Sequence, residues 1–461
     1  MKYTEKTSNL DNSSFTGKIG VGKRDISPPA GIYSRNWGAA KRNTADGIHR
    51  ALYLHAVTFS PLSGGEPFVL LSADLGWWKN MLDENFVRHH ILEVLGLKIE
   101  NLILSLTHTH SGPSLSRDDT DREGGDLIKS YLEFLRDAAV DLIRKTLAIS
   151  EEGFLTWKYG KCDLAINRDL YDSLKDMYFV GYNPDSSADD TLLIGRITNK
   201  SGKMLAVIVN YACHPTTLAW ENSLISPDFI GALRETIFSH TGADCIFLQG
   251  ASGDLAPPEQ YVGDASVADK HGRQLGYSCL STLESMLPDE RELSLKKLVE
   301  SGAPLALWSQ TEKIASPALE AKKVNVNFNL KPLQKLAEIE EELQACTDPV
   351  QIERLRRKRG VRLSVGDRDS VEVPLWVWKL GNSIIIAHPN EAYSIFQMEI
   401  RANFDKRPVA VINVANGHIG YLPPKYLYDK NIYAVWQTPF AAGSLEILIN
   451  ISINEAIELL R

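Results

Sequence analysis

Short apolar runs alternating with longer amphipathic stretches constrain this chain more than any other feature of its sequence. Residues 51–59 (ALYLHAVTF), 68–74 (FVLLSAD), 101–107 (NLILSLT), 204–212 (MLAVIVNYA) and 244–249 (DCIFLQ) read as buried strands. Residues 80–95, 127–147, 228–240 and 268–287 bring an apolar side chain back every three or four positions and read as helices. Strand character returns at 371–387 and 408–414, before a final helix over 443–460. That alternation predicts an α/β body with mixed sheets and surrounding helices. The segment 331–359 departs from the pattern: it is charged, helical and broken at Asp348-Pro349. It reads as a helical hairpin on the outside, with the basic run Arg354–Arg359 forming a solvated helix end rather than an anion-binding patch.

Composition enters by exclusion. Fifty basic against 58 acidic residues give a net charge of −8, which argues against phosphate-backbone binding and hence against a nucleic-acid partner. The first seventeen residues are polar, with no apolar core of a signal peptide. No run approaches the roughly eighteen apolar residues of a membrane span. The five cysteines are scattered, odd in number and never in CxxC spacing, so buried free thiols and a cytoplasmic location are expected. Gly20-Val21-Gly22-Lys23 lacks both the third glycine of a dinucleotide loop and the Walker spacing, and is not read as a phosphate loop.

Three elements can carry chemistry. Thr107-His108-Thr109-His110-Ser111-Gly112-Pro113 follows an apolar strand. Residues two apart on a strand point to one side, so His108 and His110 are expected to project together into the loop region where α/β sites collect. One imidazole could ligate a metal while the other reaches water or substrate; two hydrogen-bonded loop histidines are the plainer alternative. Asn210-Tyr211-Ala212-Cys213-His214-Pro215-Thr216 sets another histidine at a strand end, either structural or a ligand. Gln249-Gly250-Ala251-Ser252-Gly253-Asp254-Leu255-Ala256-Pro257-Pro258 runs from a strand into a glycine-rich turn that exposes backbone N–H groups.

In order and spacing these elements resemble the neutral (alkaline, non-lysosomal) ceramidase family. The family's opening motif reads here Gly20-Val21-Gly22-Lys23-Arg24-Asp25-Ile26-Ser27-Pro28. Gly47-Ile48-His49-Arg50, the THTHSGP motif, Ile166-Asn167-Arg168, His214-Pro215-Thr216, the Gly253-Asp254 turn, a glutamate loop and a tyrosine pair follow in the family's order. The resemblance covers residues 17–461, leaving 1–16 as a polar tail and 331–359 as a helical insertion in one neutral-ceramidase-like catalytic domain.

Position by position, the resemblance implies a Zn²⁺ site. His108 and His214 match its imidazole ligands, Glu391 of Pro389-Asn390-Glu391 its carboxylate and Tyr421 of Gly420-Tyr421 its tyrosine. His388 is a competing late ligand, because the family turn is P-G-E. His110 matches a proton shuttle, and Arg168 an active-site arginine able to support an oxyanion. Tyr433, twelve residues after Tyr421, matches a second donor to the same oxygen. Asp74 is expected either to orient a ligand histidine or to cap a helix.

The departures shape the functional expectation. Where the family turn reads G-D-V-S-P-N with an active-site serine, this chain has Gly253-Asp254-Leu255-Ala256-Pro257-Pro258, so Ala256 offers no hydroxyl. Ser252 is out of register with that position. The chain is expected to be a catalytic domain without the ceramidases' C-terminal immunoglobulin-like domain and without their export signal. The expected activity is zinc-dependent hydrolysis of an amide, or an ester, in a small or non-ceramide molecule. A ceramidase acting on N-acyl sphingosine and an inactive metal-binding homologue are the alternatives.

Overall fold

The computed structural model of the chain describes residues 12–404 and 407–461. Of the segment read as a polar tail, residues 1–11 lie outside the described residues, while residues 12–16 open the long strand Asn12–Asp25. Pairing overrides their polar composition: this strand sits inside an eight-stranded sheet, antiparallel to Tyr53–Ser60 on one side and Glu151–Lys161 on the other. From one edge that sheet runs Asp244–Gln249, Met204–Tyr211, Thr191–Asn199, Glu151–Lys161, Asn12–Asp25, Tyr53–Ser60, Phe68–Ala73 and Leu102–Leu106. Its two outermost pairs are parallel and the rest antiparallel.

A second sheet orders Leu319–Asn329, Ser370–Leu380, Ser383–Ala387 and Val409–Ile412, with the last pair parallel. The segment of strand character over 371–387 is a hairpin, turning at Gly381 with φ +57°. Alternation sorts side chains between layers. Val57 and Phe59 face the second sheet, while Leu54 and Ala56 face helices Met81–Leu95 and Leu127–Ala148. Trp157 of the first sheet and Trp376 and Trp378 of the second, each at most 1% exposed, fill the space between the sheets. Helices Phe229–Thr241 and Ala265–Glu284 cover a further part of the first sheet, and Ile395–Asn403 and Ser444–Leu459 cover the second. The layers are therefore helix, sheet, sheet, helix.

The first sheet curls until its ends approach, and the Ser72 hydroxyl donates to the Phe247 carbonyl at 2.6 Å. Asn210 ties the sheets together: its amide donates to Leu248 O (3.1 Å) and Val411 O (2.8 Å) and accepts from Val411 N (3.2 Å). This curvature gathers the C-terminal ends of three parallel strand pairs, where open α/β sheets place their ligands. No helix among the described residues is long and apolar enough to cross a membrane. The five cysteines are unpaired, four of them buried.

Helices Leu336–Ala345 and Pro349–Val365 occupy the segment read as an outer hairpin, with Asp348 capping the second through its side chain. The basic run is not a solvated helix end. The helix continues to Val365, Arg356 pairs with buried Asp119 at 2.6 Å, and Arg359 meets Asp118 at 2.5 Å. Acidic partners more than 230 residues away in sequence, invisible to local patterning, hold the run against the body.

Candidate metal centre

His108 and His214 reach one point from opposite ends of the strand order of the curled sheet, His108 after the edge strand Leu102–Leu106 and His214 after the second strand from the other edge. His108 follows Leu102–Leu106 in a left-handed backbone conformation, φ +71°, so strand alternation does not aim it. The loop does: His108 N donates to Leu75 O at 2.9 Å, and its ring centroid lies 5.1 Å from that of His110. A non-glycine residue held at positive φ is the kind of strain stored where a site needs an unusual side-chain direction. His214 follows Met204–Tyr211, with its backbone N–H on Leu255 O at 3.0 Å.

Each ring has one nitrogen committed. His108 Nδ1 lies 3.0 Å from Gly76 O, and His214 Nδ1 lies 2.7 Å from Ser252 O. A carbonyl only accepts, so both Nδ1 atoms carry the proton and both Nε2 atoms keep a lone pair. The two Nε2 atoms stand 3.1 Å apart, and Glu391 Oε2 lies 3.3 Å from one and 3.1 Å from the other. Three lone-pair donors thus converge in a buried space with no protein hydrogen between them. Tetrahedral zinc with bonds of about 2.0–2.1 Å sets its ligands roughly 3.3–3.4 Å apart, close to this spacing. The donor set, two imidazoles and a carboxylate, suits zinc as well.

Glu391 belongs to the short strand Asn390–Ala392, which pairs in parallel with Gly420–Leu422 so that Glu391 stands opposite Tyr421. Its second oxygen, Oε1, meets His418 Nε2 at 2.8 Å. Burial opposes the carboxylate charge, but the surrounding imidazoles outweigh it and hold Glu391 well below its usual range. Tyr421 is 7% exposed, stacks on His214 at 6.4 Å between centroids, and accepts from Arg168 Nη2 at 3.1 Å. Burial, with Glu391 second, pushes its phenol well above the ordinary value.

His388, the competing ligand, is placed elsewhere. Its Nδ1 accepts from Asn390 N at 3.2 Å, and its ring packs edge-on against Phe396. His110 joins His108 and His214 as a candidate metal-holding cluster. Neither of its ring nitrogens has a hydrogen-bond partner among the described residues, and it lies between Trp77 (4.8 Å) and Trp37 (5.1 Å). Burial first, then the neighbouring imidazoles and Arg357, hold it well below the ordinary histidine value, so it is neutral.

Arg168 lies buried between the short pairing of Ile166–Asn167 with Leu255–Ala256 and the strand Asp169–Asp172. It donates to Gly253 O through Nη2 (2.9 Å) and Nε (3.2 Å). Gly253 and Asp254 form the brace behind Glu391. Gly253 N donates to Ala392 O at 2.9 Å, and the Asp254 carboxylate accepts Ser394 N (2.6 Å) and Ser394 Oγ (2.7 Å). Burial lifts Asp254 to about 6. Ala256 is fully buried in the bridge to Ile166, and the Ser252 hydroxyl oxygen accepts from Gln249 Nε2 at 2.6 Å.

Asp74 neither touches a ligand histidine nor caps a helix. Its carboxylate pairs with buried Arg234, at 2.7 Å for Oδ1, and accepts Tyr53 N at 2.8 Å. The following helix is capped by Asn80 instead. Gly76 O takes over the orienting bond to His108. Sequence reasoning missed His418, although it shares the loop of Tyr421, and also Trp37, Trp77 and Arg357. Only proximity in space marks those three.

A cavity of about 1000 Å³ opens above the cluster, lined by His110, Arg168, Trp37, Trp220, Tyr261, Tyr421, Tyr433 and Trp436 and roofed by helix Pro349–Val365. A smaller chamber of about 60 Å³ joins His108, His110, Glu391 and His418 to Arg357 and Tyr433.

Residues 18–245 match the family model for neutral/alkaline non-lysosomal ceramidase, N-terminal. The neutral ceramidase of Pseudomonas aeruginosa is 26% identical over 260 residues, 52% of this chain but 37% of that protein. The crystal structure of neutral ceramidase from Pseudomonas aeruginosa superposes with a TM-score of 0.69 at 17% identity, covering 97% of this chain and 75% of that one. A ceramidase complexed with C2 superposes with a TM-score of 0.68 at 16% identity, covering 97% and 76%. The layered α/β fold is that of these structures, and residues 18–245 are similar in sequence to the N-terminal part of the neutral/alkaline ceramidases.

Proposed function

We propose that this chain is a zinc-dependent hydrolase that cleaves an amide or ester bond of a small or non-ceramide molecule. The observation that carries the reading is the convergence of His108 Nε2, His214 Nε2 and Glu391 Oε2, with both Nδ1 protons already committed to carbonyls. His108, His214, Glu391 and Tyr421 would hold the ion. When bound, zinc supplies Lewis acidity, polarising a carbonyl and lowering the pKa of water toward neutrality. The chain's own residues do the rest. His110, kept neutral by burial and free at both nitrogens, can take a proton from attacking water and return it to the leaving amine or alcohol. Arg168 and Tyr433 line the cavity and can donate to the oxygen that becomes an oxyanion.

Turnover of a panel of small N-acyl amides and esters tests the proposal. Activity should vanish on chelation, return with zinc, and disappear in His110→Ala. Hydrolysis that survives complete zinc removal would refute it. Cleavage of N-acyl sphingosine is the second reading, supported by the name of the Pseudomonas aeruginosa relative. Against it stands Ala256, which has no hydroxyl where the family resemblance places a serine. Preference for long-chain N-acyl sphingosine over small amides would favour this second reading. Zinc binding without turnover of any member would leave a metal-binding homologue.

A further inference from the structure

The helix Pro349–Val365 is built into the wall of the site. Asp119, 3% exposed, accepts from Lys79 Nζ (3.0 Å), Ser114 Oγ (2.6 Å) and Arg356 Nη1 (2.6 Å). Gly360 packs so closely that a Cβ there would stand 2.1 Å from the Lys79 carbonyl oxygen. These contacts fix the helix at one height and rotation, and they aim Arg357 inward.

Arg357 is held by three separate elements. Nε donates to Glu353 Oε1 at 3.1 Å, Nη2 to Asn36 O at 2.9 Å, and Nη1 to the Tyr433 hydroxyl at 2.9 Å. Its guanidinium lies 5.5 Å from the centre of Trp77, the ring packed on His110. Arg357 lines both the small chamber and the large cavity.

A parallel arrangement stands beside it. The rings of Tyr421 and Tyr433 are 5.7 Å apart, and each hydroxyl oxygen accepts from one arginine: Arg168 for Tyr421, Arg357 for Tyr433. A phenol oxygen that receives an N–H has that lone pair occupied, and its own proton must point elsewhere. Among the described residues no protein acceptor meets the Tyr433 proton, and the cavity lies open to it.

We propose that Arg357 is a positioning residue: its N–H on the Tyr433 oxygen turns the phenol O–H toward the cavity, where a substrate carbonyl oxygen would receive it. The insertion thereby contributes to the chemistry of the site, through Tyr433. The inference rests on the zinc-hydrolase reading.

The test is a double-mutant cycle on zinc-loaded protein, read by calorimetric titration with acetohydroxamate, a small anionic zinc ligand, alongside zinc content and Tm. Tyr433→Phe and Arg357→Met should each weaken acetohydroxamate about tenfold, the scale of one hydrogen bond to a charged group, with zinc content unchanged. In the Tyr433→Phe background, Arg357→Met should change affinity less than about twofold. Arg357→Lys, which keeps a donor but not the fork, should fall between wild type and Arg357→Met. If Arg357→Met does not fold, the cycle is run with Arg357→Lys, whose smaller loss should likewise vanish in Tyr433→Phe. Equal losses in both backgrounds, or no loss from Tyr433→Phe or from Arg357→Met, would overturn the proposal. Failure of the zinc-hydrolase reading shows itself separately, as wild-type protein without zinc.

Discussion

Gly253→Ala should loosen the metal centre without altering any ligand side chain. A Cβ at this position would stand 2.8 Å from Glu391 O, 2.9 Å from Tyr393 Cδ1 and 3.0 Å from Ala392 O. Two of those atoms are backbone of the strand that carries Glu391, so no flexible side chain can absorb the clash. Gly253 does not sit at positive φ, which makes the effect steric rather than torsional. Restoring ordinary contact at 3.4 Å moves the strand by about 0.6 Å, against a tolerance of roughly 0.2 Å in metal–ligand distances. The overpacking should cost about 1–3 kcal/mol of stability, and zinc affinity should fall roughly 10- to 100-fold, as for other changes behind a ligand. Competition with a fluorescent chelator measures the affinity and thermal unfolding the stability. Gly181→Ala is the control, because nothing lies within 4 Å of its Cβ. Wild-type zinc affinity in Gly253→Ala would refute the argument that this close approach sets the position of Glu391.

The remaining predictions concern charge and the serine nearby. Burial holds His55 and His110 well below the ordinary histidine value, His214 and His388 at about 3, and His271 at about 4. Unfolded histidines take up protons as pH falls through about 6.5 while these stay neutral, so stability is lost from there downward. Asp228 and Asp254, lifted by burial to about 6, act in the opposite direction but are outnumbered. The zinc-free protein should therefore show a Tm that declines between pH 6.5 and 4; a rising Tm over that range would contradict the assignment. Ser252→Ala should keep its zinc and any hydrolytic activity, because only the Ser252 carbonyl orients His214. Losing the bond from Gln249 should cost about 0.5–1.5 kcal/mol in chemical denaturation; abolished turnover with zinc retained would give the hydroxyl a role in the chemistry.

What the sequence revealed depended on how local its signal was. Helices 127–147 and 228–240 and the strands at 68–74, 204–212 and 244–249 lie within a residue or two of their observed limits, because periodicity is a local property. Asn12–Asp25, Glu151–Lys161 and Leu319–Asn329 went unread: they are rich in polar residues, and become strands by pairing with distant neighbours. The histidine motifs pointed to the cluster, but strand alternation was the wrong geometric reason for His108, which a left-handed loop aims. Asp74 and the run Arg354–Arg359 were misjudged for a shared reason: their partners, Arg234 and Asp118–Asp119, lie far along the chain. His418 enters the site through Glu391, and Arg357 through Tyr433 and Trp77, by contacts that no spacing rule encodes.

The central claim is that His108, His214 and Glu391 enclose a zinc ion. Anomalous scattering collected on either side of the zinc edge, from crystals of protein purified without chelator, tests it most directly. The account predicts one strong peak per chain, within bonding distance of His108 Nε2, His214 Nε2 and Glu391 Oε2, and its loss in His214→Ala. No peak between these three atoms after soaking with zinc, or a peak that persists in His214→Ala, would contradict it.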